Sequence, residues 1–380
     1  MRPSRKHAVL IFVLLAGSLL SVFALTRCGS VIQGNFNGNG KSFDFSEPPC
    51  RATIVDPPAA SIDIRYLGSG GAYIGWGDDA VLLGPFFSNP GLLAAAFGKF
   101  ATDHDRIRNH LRDVPVRRVR AILIGHSHYD HIADLPAVAR DYAPGSRIYA
   151  NASGVNMLAA YPDLRDRTEP VDPGHPISIR NLQGSEVMRI YPVRSDHAPQ
   201  VCAWRTWPCE YANCAQKTAW TTPFEDHRLN SFCGGQTYAY VIDLLRDGQV
   251  QYRVYYNDAA AESPLGIPNG IENPQRGYDV ALLCMPSYDF VKGYPEVLVS
   301  HLNPRHLILT HYENFFSRSE GHWRFAPLLT NSKANAFFKR LRAIDYQSAA
   351  LAPAATPCGV TTDRWTMPVP GAQVLFDKSP

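Results

Sequence analysis

The sequence predicts an α+β chain in which two β-sheets pack against each other and helices cover them. Three observations support this. Strand-like runs come as hairpins early in the chain and mix with helical runs later, an order that fills layered sheets. Hydrophobic residues make up 45% of the 380 and charged residues 19%, enough for a sizeable core. No internal repeat divides the chain into copies.

Folded sequence starts near Ile62. Residues 62–67 alternate as a strand, and Gly68-Ser69-Gly70-Gly71 turns it into a second strand over 72–76. No helix follows these glycines, so they read as hairpin chemistry and not as a nucleotide loop. Asp78-Asp79 turns into a strand over 80–83. Ala121-Ile122-Leu123-Ile124-Gly125 reads as a buried strand, short, apolar and stopped by glycine. A helix over 134–142, a strand over 147–150 and a helix over 153–160 come next. Strands then dominate: 186–193, then 237–245 and 250–256 joined across residues 246–249, then 279–284 and 305–310. Residues 332–344 have amphipathic helical spacing.

The ends of the chain read differently. Arg2, Arg5 and Lys6 precede an uncharged apolar stretch over 8–25, the pattern of an export signal or a retained membrane anchor within residues 1–28. Val22-Phe23-Ala24 offers a cleavage site after Ala24, while Arg27 before Cys28 argues against a lipoprotein box. The expected compartment is periplasmic or extracellular, with a membrane tether through 8–25 left open. Residues 29–61 read as a linker, 62–345 as the folded domain and 346–380 as a C-terminal arm. A net charge of +3 and one short basic cluster, Arg117-Arg118-Val119-Arg120, give no support for a nucleic-acid partner.

The chemistry concentrates just past the strand at 121–125. His126-Ser127-His128-Tyr129-Asp130-His131 puts three imidazoles and a carboxylate within six residues. His126 and His128 share a side of an extended segment, and Asp130 and His131 open the next helix. Such donors suit Zn(II), Mn(II) or Fe(II), and four from one turn suit two adjacent ions better than one. His197, Asp258 and His311 each stand at the end of an alternating strand and complete a candidate set of seven. Asp258 is the best-placed carboxylate to bridge two ions, and two such ions would make hydroxide near neutral pH.

In these residues the chain resembles the metallo-β-lactamase fold superfamily, whose hallmark is H-x-H-x-D-H. The order of cluster, histidine, aspartate and histidine matches across residues 62–345. The stretch from His128 to Pro136 is similar to the branch containing N-acyl-phosphatidylethanolamine phospholipase D and UlaG-type lactonases. The resemblance implies a four-layer αββα sandwich with its site at one edge of the sheets. It implies that His126, His128 and His197 hold one ion, that Asp130, His131 and His311 hold the other, and that Asp258 bridges. Two departures stand out. Relatives of that branch often carry aspartate before proline where this chain has Leu83-Gly84-Pro85, and residues 285–290 lack a clear match to the branch's substrate motifs.

An insertion over 200–236 is this chain's own feature. Its Cys202, Cys209, Cys214 and Cys233 are expected to form two disulfides in one of three pairings, since no C-x-x-C zinc signature is present. Trp204, Trp207 and Trp220 either shape an apolar substrate pocket or core the loop, with the second reading preferred. Cys50 and Cys358 are candidates to tie the terminal arms, and Cys284 reads as a buried thiol.

Three functions fit these observations. The first is an exported dinuclear metallohydrolase, zinc foremost with manganese or iron as alternatives. It would act on a phosphodiester or lipid-like ester, with metal hydroxide as nucleophile and Asp130 orienting it. The second is the same machinery opening a lactone or amide. The third is an exported metal-binding protein without catalysis. The expected partner in the first two is a small-molecule or lipid substrate.

Overall fold

The structure is a computed structural model that describes residues 33–34, 43–44, 55–58, 60–199, 214–317, 323–327, 329–345, 351–354 and 358–377. After a separate short antiparallel pair, Gln33–Gly34 with Phe43–Asp44, come β1 (Ser61–Gly68), β2 (Gly71–Trp76), β3 (Asp79–Leu83), β4 (Val119–Leu123), β5 (Arg147–Ala150) and β6 (Thr168–Pro170). There follow β7 (Ile177–Arg180), β8 (Glu186–Ser195), β9 (Thr237–Arg246), β10 (Gln249–Asn257), β11 (Val280–Cys284) and β12 (His306–Thr310). The last are β13 (Gly359–Thr361), β14 (Trp365–Pro368) and β15 (Gln373–Asp377).

Seven of these strands form one sheet in the order β15-β1-β2-β3-β4-β5-β6, and eight form a second in the order β13-β14-β12-β11-β10-β9-β8-β7. Each sheet changes character partway. β1 to β3 form antiparallel hairpins, whereas β3 to β6 pair in parallel. Likewise β7 to β10 are antiparallel, and β10, β11, β12 and β14 are parallel. Parallel neighbours need crossover connections, and those connections carry the helices.

The strand period of two sorts the core into layers. Ile62, Ile74 and Leu123 from the first sheet meet Ile190, Ile242 and Val254 from the second in a shared interior. On the outer face of the first sheet lie Ile107, Leu111, Ile132 and Met157 from helices. On the outer face of the second lie Val299, Leu302, Phe337 and Leu341. Two helix-flanked sheets packed face to face are the four-layer αββα arrangement.

The helix Asn331–Ala343 shows how sequence builds one of these covers. Thr330 caps its start by accepting from the Lys333 N–H, and Ala334, Phe337, Phe338 and Leu341 form its buried stripe. Burying each phenylalanine stabilises the fold by roughly 1.5–3 kcal/mol.

Two expectations need correction. Residues 346–380 were expected as an arm outside the domain. Instead β13 and β14 extend the second sheet, and β15 pairs antiparallel with β1 in the first. Val374 and Phe376 are fully buried between the sheets. These strands are only three to five residues long, with Pro370 and Gly371 between the last two, too short for a period to register. The helix expected over 134–142 is also not uniform, because Leu135–Ala137 continues as a π turn over Val138–Tyr142. The export segment at 8–25 lies outside the described residues. Among the described residues no helix is long and apolar enough to cross a membrane.

Candidate metal centre

Strand ends from both sheets meet at one edge of the sandwich. β4 runs out through Ile124 and Gly125 into His126, and the short helix Tyr129–Ile132 then lifts Asp130 and His131 into the same space. From the second sheet, β8, β10 and β12 end just before His197, Asp258 and His311.

All seven side chains come together. Ligand atoms of His126, His128 and His197 lie within 4.8 Å of one another, as do those of Asp130, His131 and His311. A third group of His126, His131 and Asp258 joins the two. Asp258 stands between them, with Oδ1 3.2 Å from His126 Nδ1 and Oδ2 3.5 Å from His131 Nδ1. Asp130 Oδ2 is 3.6 Å from His131 Nε2 and 3.5 Å from His311 Nε2. Six of the seven are buried, and His197 is partly exposed.

The donor set fits divalent cations. His126 Nε2, both ring nitrogens of His131, and His311 Nδ1 are buried without a hydrogen-bond partner. Each such atom costs about 1–3 kcal/mol if nothing satisfies it, and imidazole nitrogen and carboxylate oxygen together suit zinc-like ions. Burial pushes His126 well below the ordinary imidazole range, and His197 beside it adds repulsion. Burial likewise lowers His197, and it takes His131 down to about 3 although Asp130 pulls the other way. These rings are therefore neutral at pH 7, with lone pairs available. Burial alone would raise Asp130, but His131 and His311 outweigh it and hold the carboxyl well below its usual range. For His311 burial would lower the pKa, yet the hydrogen bond it donates to Asp130 raises it. Asp258 is raised by burial.

Residues that the sequence reading passed over hold the set in place. A Cβ at Gly125 would sit 2.5 Å from Asp258 Oδ2, so only glycine lets that carboxylate approach β4. The Tyr256 hydroxyl donates to the Gly70 carbonyl at 3.0 Å and lies 3.4 Å from Asp258 Oδ2. At Gly84, a Cβ would lie 3.3 Å from His131 Nδ1 and 3.4 Å from the Tyr256 hydroxyl. The place where an aspartate was sought therefore borders a tyrosine supplied by the second sheet. Asp134, another acid near the cluster, accepts from the Phe87 and Ser88 N–H groups at 2.6 and 2.8 Å.

The described part of the insertion packs beneath the outer helices of the first sheet, where Trp220, Phe224, Leu229 and Phe232 join the core. Trp220 stacks on His227 at 3.5 Å and cores the loop, while Trp204 and Trp207 lie outside the described residues. Cys214 and Cys233 form a disulfide; Cys202 and Cys209 lie outside the described residues. Cys358 is disulfide-bonded, its suggested partner Cys50 lies outside the described residues, and Cys284 is a buried free thiol.

The Cys214–Cys233 bridge bears on the metal loop. Gly234 O accepts from the Ser127 N–H at 2.9 Å, between His126 and His128, and the Gly235 N–H donates to Cys214 O at 3.0 Å. Both cysteines are partly exposed, within reach of a reductant. Reduction is expected to weaken retention of bound metal about tenfold, the low end of the loss when an outer support of a ligand is removed. Metal content after dialysis against a chelator, with and without reductant, checks this; equal retention would detach the bridge from the site.

Residues 81–208 match the model of a family described as a β-lactamase superfamily domain, a stretch that includes the whole histidine cluster and His197. No curated protein matches the chain. Among solved structures, the novel metallo hydrolase Igni18 from the hyperthermophilic archaeon Ignicoccus hospitalis is similar at 14% identity and a TM-score of 0.45, covering 84% of this chain and 100% of that one. The metallo-β-lactamase fold protein YhfI from Bacillus subtilis is similar at 13% identity and a TM-score of 0.37, covering 66% and 86%. CmlA, a diiron β-hydroxylase from Streptomyces venezuelae, is similar at 13% identity and a TM-score of 0.38, covering 68% and 46%. None is close enough to carry a substrate to this chain. The family match covers the histidine-bearing segment, and the two helix-flanked sheets around it have the αββα arrangement of a metallo-β-lactamase fold.

Proposed function

We propose that this protein is an exported metal-dependent hydrolase with a dinuclear centre, acting on a phosphodiester or lipid-like ester. The observation that carries this reading is the convergence of seven ligand-type side chains with Asp258 between two sets. A module that only binds metal has no need of two sets joined by a carboxylate. Divalent ions held there would supply positive charge for the transition state and acidity for water. His126, His128 and His197 would hold one ion, and Asp130, His131 and His311 the other. Asp130 Oδ2, facing both His131 and His311, is placed to accept a hydrogen bond from the attacking water and orient it.

An ester with an apolar part is favoured by the aromatic side of the site. Phe315 lies 5.0 Å from the His311 ring with Phe316 against it. The likeness of residues 128–136 to the phospholipase and lactonase branch points the same way, with a lactone or amide as the alternative substrate. Export is supported by the basic residues before the apolar stretch at 8–25 and by the Cys214–Cys233 disulfide, a bond of oxidising compartments.

The test is reconstitution with Zn(II), Mn(II) or Fe(II), followed by metal analysis and parallel assays on bis-p-nitrophenyl phosphate, a lactone and nitrocefin. About two ions per chain and preferential phosphodiester turnover are expected. Lactone turnover alone would select the alternative. Two bound ions with no hydrolysis under any metal would leave a binding protein.

A further inference from the structure

We infer that Glu313 is a positioning residue that clamps the two sheets together at the metal centre and so sets the half formed by Asp130, His131 and His311. This rests on the reading of those side chains as metal ligands. The centre straddles the sandwich, since Asp130 and His131 follow β4 of the first sheet and His311 follows β12 of the second. Whether His311 meets the other two depends on how the sheet edges are spaced there. Glu313, two residues past His311 and 3% exposed, is bonded to the first sheet twice.

One carboxylate oxygen accepts from the Tyr66 hydroxyl and the other from the Ser69 N–H. Tyr66 is on β1, and its hydroxyl in turn accepts from the His311 N–H at 2.7 Å. A relay therefore runs from the His311 backbone through Tyr66 to Glu313. His311 needs it, because its φ of 60° lies in the left-handed region that a non-glycine residue keeps only when its surroundings enforce it.

The second arm reaches the floor of the site. Ser69 and Gly70 have φ of 48° and 75°, so the turn between β1 and β2 is left-handed at both. Gly70 packs so closely that a Cβ there would be 3.3 Å from the His311 ring, 3.4 Å from Asp258 Cβ and 3.4 Å from the His131 ring. Holding the Ser69 N–H keeps this floor beneath the three side chains. Both arms meet the His311 side of the centre directly and the other set only through Asp258, so the clamp acts mainly on one set.

The experiment uses the full chain loaded with Zn(II), with Tyr66→Phe, Glu313→Ala and Glu313→Gln compared with wild type and His311→Ala. Zinc content and zinc release to a competing chelator are measured, with far-UV circular dichroism and thermal melting to establish folding. Tyr66→Phe and Glu313→Ala are expected to hold one of the two ions about 10- to 100-fold more weakly, the usual range for outer supports of a ligand, while the other ion is weakened far less. The weakened ion should be the one that His311→Ala loses. Glu313→Gln keeps an acceptor for Ser69 and should recover most of the affinity. Tyr66→Phe removes a single oxygen and keeps the ring, so it serves where Glu313→Ala fails to fold. Folded variants that hold both ions with wild-type affinity overturn the inference, as does equal weakening of both ions. A wild-type chain that binds no zinc overturns the metal reading beneath it, and the inference with it.

Discussion

Asp258→Asn is expected to lower kcat about a thousandfold while KM changes little. Among the described residues Asp258 is the carboxylate that faces both halves of the centre, through His126 Nδ1 and His131 Nδ1. Asparagine keeps the shape and one oxygen but removes the charge that would neutralise two cations. Electrostatic support of the transition state by bound ions amounts to several kcal/mol, and about 4 kcal/mol corresponds to that thousandfold loss. The loss falls on the transition state and not on ground-state binding, hence on kcat. Kinetics on whichever ester the screen identifies, with metal content verified, give the answer. An Asp258→Asn enzyme with undiminished kcat would mean that the chemistry lies elsewhere.

Gly125→Ala should reproduce much of that loss without touching a ligand. The added methyl would stand 2.5 Å from one Asp258 oxygen and 2.6 Å from the other. The carboxylate must move, and the contact with both histidines goes with it. Normal metal content in this variant would show that the edge of the sandwich yields more readily than its buried packing indicates.

The seven candidate ligand residues were legible in the sequence because each sits where a local pattern ends. His126, His128, Asp130 and His131 crowd one turn after an apolar strand, and His197, Asp258 and His311 each close an alternating run. The supports were not legible, because their meaning lies in contacts far apart along the chain. Tyr66 and Glu313 are 247 residues apart, and nothing in the period of either strand shows that they touch. Glu313 did have a local trace, a carboxylate just after a strand-end histidine, but it reads equally well as a surface residue. Gly125 likewise read as a strand stop, and only the position of Asp258 shows why no larger residue fits. The C-terminal strands escaped for a different reason: runs of three to five residues are too short to display a period.

Asp243→Ala is expected to destabilise the fold by about 3–5 kcal/mol, the cost of leaving a buried charge without its partner. Asp243 and Arg253 lie directly opposite each other on β9 and β10, and their side chains are 1% and 0% exposed. Ile242 and Leu244 beside Asp243 face the other sheet, so the acid and its arginine face outward, beneath the loop that carries Glu272 and Asn273. The pair is bidentate, with Nε to Oδ1 at 2.6 Å and the second guanidinium nitrogen to Oδ2 at 2.8 Å. Two further Arg253 donors go to the Asn273 and Glu272 carbonyls at 2.9 and 2.7 Å, which ties the loop down. Without Asp243, two donors of a guanidinium that cannot lose its proton are stranded in the interior. Changing both residues together, Asp243→Leu with Arg253→Met, should recover most of the loss, because an apolar pair of similar volume has no charge to desolvate. Denaturant unfolding of the two single variants and the double variant measures this coupling directly. A single variant within about 1 kcal/mol of wild type would show that water reaches Arg253 and that the loop does not seal the pair.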